Sequence, residues 1–311
     1  MAEYVVIAGA MLGTPKVLAG LISGEIRDTA EMKGLQEYLT STVVPHSSRT
    51  ALWRSWGSLL SLMPFGDERI WGNATYAPDL PDSTGVTIMM EARASAMEAV
   101  GYEQSTPTRP LVHAGNLTLD QTLQFLFSSS IGGADLQAKL AEHSFGADPE
   151  GRLLHAHDLE PRHWANPLEA RLPNAPSLRI YSLYGIGKNT ERAYFYTPTR
   201  GEEESDVPVP VTARTTPQEE ETLKYAEAMK PKVLIDKTVH REPGAAGTTV
   251  KSGVLTTDGD GTVPLISLGY MCVKGWKEKR FNPAGACYSR YRVDARLAWQ
   301  TFRGCAKLGV C

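Results

Sequence analysis

The sequence predicts an α/β fold, because segments with the pattern of β-strands alternate with segments that have the spacing of amphipathic helices. Residues 4–9 form a short apolar run rich in β-branched side chains, which is typical of a buried strand. A loop that contains Gly13 and Pro15 follows, and residues 16–32 then carry apolar side chains at helical spacing. This order of strand, loop and helix is the first evidence for the fold class.

The rest of the chain repeats the two patterns. Residues 48–63 have helical spacing that ends at Pro64, and residues 117–127 form another such stretch with Asp120 near its start, where a negative charge suits the helix dipole. Strands are predicted at 178–183, 193–196, 232–239 and 248–255. Residues 200–222 are acidic and rich in Pro and Thr, which predicts a solvated excursion.

The composition is that of an ordinary globular protein and excludes several classes. The 311 residues are 42% apolar and 22% charged, and the net charge is −3. Nucleic-acid and anionic-membrane binders need concentrated positive charge, so we expect neither as a general property. No apolar run reaches the ~18–20 residues of a membrane span. The first residues also lack the basic and apolar regions of a signal peptide, so we expect no targeting segment in this chain.

Neither the cysteines nor the histidines have the spacing of a metal site or a disulfide framework. The cysteines are Cys272, Cys287, Cys305 and Cys311. His155, His157 and His163 lack the H-x-x-x-H interval of helical zinc ligands, which favours a solvated His-rich loop. We therefore expect no metal and no cofactor.

The sequence 258–264, Asp-Gly-Asp-Gly-Thr-Val-Pro, contains the strongest candidate for a catalytic residue. An Asp in a tight Gly-flanked turn after a strand can be the acid of a Ser-His-Asp triad, and we nominate Asp260, with Asp258 as the runner-up. The alternative is an ordinary turn, since Asp-Gly is a common turn former. In α/β-hydrolases the Ser precedes this Asp and the His follows it. Here the last histidine is His240, and no Gly-x-Ser-x-Gly occurs.

Residues 142–146, Glu-His-Ser-Phe-Gly, resemble half of a nucleophile elbow around Ser144. An elbow needs a strand before the Ser, a helix after it and small residues two positions on either side. Here a predicted helix precedes Ser144, and Glu142 occupies one of the small-residue positions. We therefore interpret this segment as a loop.

An apolar stripe with three- and four-residue offsets runs through the second helical stretch. Its members are Trp53, Trp56, Leu59, Leu60 and Met63. Such a stripe can face lipid acyl chains, but it more often packs into a hydrophobic core, and we favour the core.

A series of short motifs, in order along the chain, resembles the phospholipid:diacylglycerol acyltransferases, which are relatives of lecithin:cholesterol acyltransferase. The motifs lie at 7–16, 23–29, 54–64, 70–72, 164–169 with 172–176, 181–187, 190–196, 258–264, 269–276 and 280–283. Together they cover roughly residues 4–292. Each motif alone is weak, but their common order makes the resemblance specific.

The resemblance implies an incomplete α/β-hydrolase fold, from about the sixth strand onward, with helical cap segments. Residues 1–292 would form this partial acyltransferase domain, and residues 293–311 match nothing in the family. Family enzymes carry the nucleophile elbow before the segment that matches Tyr4 and the catalytic His after the one that matches Arg292. We therefore expect a partial or incorrectly assembled gene product.

The resemblance also implies the chemistry. A family enzyme moves an acyl group from a phospholipid to diacylglycerol and makes triacylglycerol, at the endoplasmic reticulum membrane. Asp260 would orient the catalytic His, and the loop at 9–15 would line the pocket. Phospholipase-type hydrolysis and a non-catalytic, lipid-binding remnant stay open as alternatives. Without Ser and His we expect this chain alone to be inactive, and poorly soluble because its first strand would have an unpaired edge.

Relatives of the cholesterol-esterifying type place a cysteine in the next strand, which pairs with one near Cys272. This chain has Ser182 at that position. The resemblance therefore implies that Cys272 forms no such disulfide.

Overall fold

The structure, a computed structural model, describes ten ranges of the chain. They are residues 2–32, 34, 43–80, 86–90, 116–127, 136–145, 159–198, 230–242, 248–294 and 306–308. The helices in these ranges are α1 (Pro15–Ser23), α2 (Arg27–Ala30), α3 (His46–Ser55), α4 (Gly57–Leu60), α5 (Glu68–Trp71), α6 (Leu119–Phe127) and α7 (Leu265–Val273). Residues 136–140 are also helical. Short 3₁₀ turns cover Pro161–His163 and Gly275–Lys277. None of these helices is both long and apolar enough to span a bilayer.

The strands form two sheets. They are β1 (Glu3–Ile7), β2 (Val86–Met90), β3 (Asn116–Thr118), β4 (Arg179–Ile186), β5 (Lys188–Pro198), β6 (Val233–Ile235), β7 (Thr249–Lys251), β8 (Val254–Gly259), β9 (Cys287–Asp294) and β10 (Ala306–Leu308). The first sheet has the order β1-β4-β9-β10, and the second has the order β3-β2-β5-β8-β7 with β6 beside β5. The chain thus combines helices with strands, and the predicted mixture of α and β structure is confirmed.

The first sheet is parallel over strands β1, β4 and β9. Strand β4 pairs in parallel with β1 on one side and with β9 on the other, so that Leu183 lies opposite both Ile7 and Tyr291. The carboxyl ends of β1, β4 and β9 therefore meet at one edge. Strand β4 leads through Gly187 directly into β5 of the second sheet, and α7 contacts strands of both sheets.

Strand β1 occurs where it was predicted, but the prediction that it is buried is wrong. Tyr4, Val5 and Ile7 are 58%, 54% and 75% exposed. In the described part of the chain β1 is the end of the strand order, so its other edge and much of both faces meet solvent. An apolar run in the sequence shows the type of the side chains, whereas the burial of a strand depends on which other elements cover it.

The predicted helix over 16–32 is interrupted. Helix α1 ends at Gly24, which has a φ of 68°, and α2 starts three residues later. A Cβ at position 24 would lie 2.7 Å from Thr50 Oγ1, so the close approach of α3 and the left-handed backbone both require glycine here.

The apolar stripe packs mainly into the core, as predicted. Leu59, Leu60 and Met63 are buried. Trp53 is half-buried and covers Gly20 of α1, where a Cβ would lie 3.0 Å from the indole ring. Trp56 departs from the prediction because the chain leaves the helix there, between α3 and α4, and the side chain is 49% exposed.

The stretch 117–127 begins with strand β3 and becomes helical only at Leu119, with Asp120 in the first helical turn. Burial raises the pKa of Asp120, and the nearby carboxylates of Asp67 and Glu68 raise it further. The helix dipole is thus not the main influence on this carboxyl group.

Candidate active site

Asp260 lies in a turn that its own side chain holds together. The amide N–H groups of Thr262 and Val263 both donate to Asp260 Oδ1 at 2.8 Å. The Asp260 amide donates to the Val263 carbonyl at 3.3 Å, which closes the turn through the backbone as well. Oδ2 makes no hydrogen bond with any residue that the structure describes. One carboxylate oxygen is therefore fixed by the turn, and the other is available to a further donor.

Strand β5 supports the turn from beneath. Buried Thr190 accepts a hydrogen bond from the Gly261 amide at 2.9 Å and donates one to the Lys188 carbonyl at 3.0 Å. A Cβ at Gly259 would lie 2.4 Å from the Val263 carbonyl oxygen and 2.5 Å from Thr190 Oγ1. The Gly-Asp-Gly sequence thus lets the turn close against β5, which a larger residue at position 259 would prevent.

The turn lies at the carboxyl edge of the parallel strands. The Gly187 amide, directly after β4, donates to Asp258 Oδ1 at 2.6 Å. Thr14, in the loop after β1, donates through Oγ1 to the Thr262 carbonyl at 3.0 Å. The amide of Leu12 in the same loop donates to Ser267 Oγ at 3.0 Å. Since α/β proteins place their ligand sites outside the carboxyl ends of strands, this edge is a candidate active site.

An open, polar cleft of ≈ 740 Å³ adjoins Asp260. The charged residues in its wall are Arg27, Asp28, Glu31, Lys188 and Asp260. Arg27 donates to the Asn189 carbonyl at 2.9 Å and pairs with Glu31 at 2.9 Å, so its guanidinium is fixed in the cleft wall. The cleft therefore presents both signs of charge beside the free carboxylate oxygen of Asp260.

Glu191 is a buried carboxylate behind this cleft. Its Oε1 accepts a hydrogen bond from the Arg27 amide at 2.6 Å, and its Oε2 accepts one from the Tyr194 hydroxyl at 3.1 Å. Lys16 Nζ lies 3.9 Å from Oε1. Burial raises the pKa of Glu191, and the partial charge compensation by Lys16 and by the amide does not reverse the shift.

Asp258, the runner-up, faces a different space. It is exposed and lines an apolar cavity of ≈ 340 Å³ between α7, α5 and the ends of β8 and β9. Asp260 does not line this cavity, and Asp258 does not line the polar cleft. The two carboxylates of the turn thus serve two separate openings.

The expected solvated His-rich loop is wrong for His163, while His155 and His157 lie outside the described residues. His163 is 5% exposed, and its Nδ1 lies 2.6 Å from Glu169 Oε2. The Glu169 carboxylate satisfies the ring in the interior, which is why a polar residue tolerates burial here. No group of three potential metal ligands occurs among the residues that the structure describes.

Ser144 lies in a loop, as predicted. Helical residues 136–140 precede it, and its amide donates to the Arg162 carbonyl at 3.3 Å. Asn166 Nδ2 donates to the Ser144 carbonyl at 3.3 Å. This backbone pairing with the 160s segment is not the strand-to-helix turn of a nucleophile elbow.

Ser182 does lie beside Cys272, at the position where the resemblance implies a lost disulfide. The two side chains are hydrogen-bonded, and burial raises the pKa of the Cys272 thiol. Cys272 and Cys287 are both free thiols. Cys305 and Cys311 lie outside the described residues.

The motif at 190–196 contains functional contacts that the sequence did not predict. Thr190 supports the turn and Glu191 lies behind the cleft. Arg192, fully buried, pairs with Asp79 at 2.7 Å and donates to the Trp71 carbonyl at 2.5 Å. The one available signal was the match of this motif to the family, which gives no role for its residues.

Fold and site together define an α/β protein with an acidic turn at the carboxyl edge of parallel strands. The chain belongs to the lecithin:cholesterol acyltransferase family, because a sequence model of that family matches residues 1–287.

Three curated relatives agree. The chain is 31% identical to the phospholipid:diacylglycerol acyltransferase of Schizosaccharomyces pombe over 97% of this chain and 40% of that protein. It is 28% identical to phospholipid:diacylglycerol acyltransferase 1 of Arabidopsis thaliana, over 90% of this chain and 46% of that protein. It is 29% identical to the phospholipid:diacylglycerol acyltransferase of Saccharomyces cerevisiae, over 91% of this chain and 36% of that protein. The chain therefore spans less than half the length of each of these relatives.

Proposed function

We propose that this chain is the acid-bearing part of a phospholipid:diacylglycerol O-acyltransferase, which moves a fatty acyl group from a phospholipid to diacylglycerol. The names of the curated relatives support the reaction, and the family match over residues 1–287 supports the class of enzyme. The single observation that carries the proposal is the position of Asp260. Its Oδ2 accepts no hydrogen bond from a residue that the structure describes, and Asp260 lines a cleft beside the carboxyl end of β4.

In this proposal Asp260 accepts the Nδ1–H of a catalytic histidine, fixes its tautomer and stabilises the imidazolium. The hydrogen bonds from Thr262 and Val263 leave Oδ2 for that contact. The histidine would assist a serine in attacking the phospholipid ester, and diacylglycerol would then take up the acyl group. Neither a Gly-x-Ser-x-Gly elbow nor a histidine after Asp260 occurs in this sequence.

The finer fold assignment is part of the same proposal. Residues 1–292 would form part of an α/β-hydrolase domain, supported by the parallel order β1-β4-β9 and by the turn that follows β8. Strand β9 runs to Asp294, two residues past that proposed limit. The substrates, both membrane lipids, would bring the enzyme to a membrane surface, for which we propose the endoplasmic reticulum.

A non-catalytic, lipid-binding role is the second candidate, because the sequence carries only the acid of the triad. A chimera separates the two roles. Residues 1–287 of this chain replace the aligned segment of the Schizosaccharomyces pombe relative, and triacylglycerol formation is measured from phospholipid labelled in its acyl groups. The released fatty acid is measured in parallel and reports phospholipase-type hydrolysis.

We expect the chimera to make triacylglycerol and Asp260→Asn to reduce the rate about 10⁴-fold, since the His tautomer is then wrong. Asp258→Asn is the matched control, two residues away in the same turn, and we expect a change of less than threefold. A folded chimera without activity would favour the non-catalytic role. Equal losses for the two variants would refute the assignment of Asp260. The 311-residue chain by itself should form no triacylglycerol.

A further inference from the structure

The apolar cavity beside Asp258 is separate from the proposed active site. Residues of α7, residues of α5 and the later residues Pro78 and Asp79 all line it. The nine residues of α7 are about 13.5 Å long at the usual rise of an α-helix. The cavity has a volume of ≈ 340 Å³, within the range of small-molecule sites, and its lining extends from Leu265 to Lys274 along α7.

Most of the lining is apolar. Leu265, Ile266 and Val273 line it from α7, and Ile70 and Pro78 line it from the opposite side. An unbranched alkyl chain suits such a lining, because its binding removes the apolar surfaces of both the chain and the cavity from water. An alkyl chain also has no polar group that would need a hydrogen bond.

The charged groups at the cavity do not balance. Arg69 is paired with Asp67, and Asp79 is paired with Arg192. Lys274 and Arg292 also line the cavity, and neither forms an ion pair with a residue that the structure describes. The nearest polar contact of Arg292 is the Tyr184 hydroxyl, 3.4 Å from its Nε. Asp258 also lines the cavity without an ion pair to a described residue, so the unpaired charges are two cations and one carboxylate, a net charge of +1.

Asp258 decides where an anionic group could lie. It lines the cavity from the end of β8, next to the start of α7, whereas Lys274 follows the last residue of α7. An anion beside Asp258 would be repelled, while one beside Lys274 would gain a charge-assisted hydrogen bond.

We propose that this cavity binds an amphiphile with a single alkyl chain and an anionic head, either a fatty acid or an alkyl phosphate. The alkyl chain lies along α7, and the head is bound by Lys274, with Arg292 as a second cation. The site goes beyond the proposed function, because its lining shares no residue with the cleft at Asp260.

The test is equilibrium binding of palmitate and of hexadecyl phosphate to the 311-residue chain, measured by displacement of a fluorescent fatty acid. Hexadecanol is the uncharged comparison. We expect saturable binding of both anions and at least tenfold weaker binding of hexadecanol. Tighter binding of the carboxylate or of the phosphate identifies which head the site prefers. Absence of saturable binding, or equal binding of hexadecanol, would overturn the proposal.

Two variants with matched controls localise the binding. Lys274→Gln should weaken palmitate binding about tenfold, whereas Lys277→Gln, an exposed residue outside the cavity, should leave it unchanged. Ile266→Trp should fill the cavity and abolish binding, whereas Leu52→Trp, on exposed surface of α3, should not.

Far-UV circular dichroism checks that each variant keeps its fold. Binding that survives Ile266→Trp in a folded protein would place the ligand elsewhere. No turnover is involved, so this result is independent of whether the acyltransfer reaction occurs.

Discussion

The two sides of the 258–260 turn differ in kind, although only Gly259 separates the two aspartates in sequence. On the Asp260 side lie a polar cleft, the buried carboxylate of Glu191 and Arg27, whose guanidinium is paired with Glu31. On the Asp258 side lie an apolar cavity and two cations without ion pairs among the described residues. Asp260 accepts hydrogen bonds from two backbone amides on one oxygen and lines the polar cleft, whereas Asp258 accepts one from a backbone amide and lines the apolar cavity. Chemically identical side chains therefore have different surroundings, set by the elements that face them.

The largest effect on stability should come from the ion pair between Arg192 and Asp79, a residue that lines the apolar cavity. Arg192 is fully buried, pairs with Asp79 and lies 5.1 Å over the ring of Trp71. Arg192→Met would leave the Asp79 carboxylate without its partner, and we expect a loss of about 3–5 kcal/mol in the free energy of unfolding. Urea denaturation followed by tryptophan fluorescence measures it.

Lys279→Met is the matched control, because it removes an exposed cation at no buried contact. Its cost should stay within about 0.5 kcal/mol. If Arg192→Met were no more costly than this control, the buried ion pair would not be a structural support of the apolar side.

The next effect concerns the turn that divides the two sides. Gly259→Ala would place a Cβ 2.4 Å from the Val263 carbonyl oxygen, and the turn would have to shift. We expect a loss of about 1–3 kcal/mol in the free energy of unfolding, as for overpacked sites. In the chimera, acyltransfer should fall because Asp260 moves with the turn.

Gly57→Ala serves as the control, since nothing lies within 4 Å of the added Cβ. Stability and activity should both stay close to wild type. A Gly259→Ala chimera with full activity would contradict the idea that this turn positions Asp260.

The sequence predicted those features of the site that depend on residues close together along the chain. The turn at 258–264 is encoded by Asp and Gly at fixed positions, and the structure shows the expected tight turn after β8. Strands β4 and β5 overlap the strands predicted at 178–183 and 193–196, because their apolar patterns are continuous over several residues. The single strand predicted at 248–255 is wrong, because a turn at Ser252 and Gly253, which both have positive φ, divides it into β7 and β8. The role of Asp260 itself stays a prediction.

What the sequence could not predict depends on partners far along the chain. Thr190 supports the turn because β5 pairs with β8, with Thr190 opposite Thr257, and no local pattern contains that register. His163 is buried because Glu169 meets its ring, and Ile7 is exposed because β1 ends the strand order. Each of these depends on tertiary packing, which overrides the local pattern.

The smallest effect is a pH dependence of stability that Glu191 contributes on the polar side. The pKa of Glu191 is raised above the 4.5 of a free side chain, chiefly by burial. Between that value and the raised pKa the folded state binds more protons at Glu191 than the unfolded state does, so the free energy of unfolding falls as the pH rises through this window. The variant Glu191→Gln keeps a neutral side chain that can accept the hydrogen bond from the Arg27 amide, and it removes the ionisable carboxyl group.

We therefore expect the wild-type chain to lose stability relative to Glu191→Gln as the pH rises from 4.5 toward neutrality, with the difference constant above the raised pKa. Urea midpoints at pH 4, 5, 6 and 7 measure the difference. Glu278→Gln, at a half-exposed carboxylate paired with Arg280, should keep the wild-type dependence. A pH-independent difference between wild type and Glu191→Gln would show that the carboxylate is fully compensated by Lys16 and the Arg27 amide. The two sides of the turn would then differ in shape and polarity but not in the protonation of a buried group.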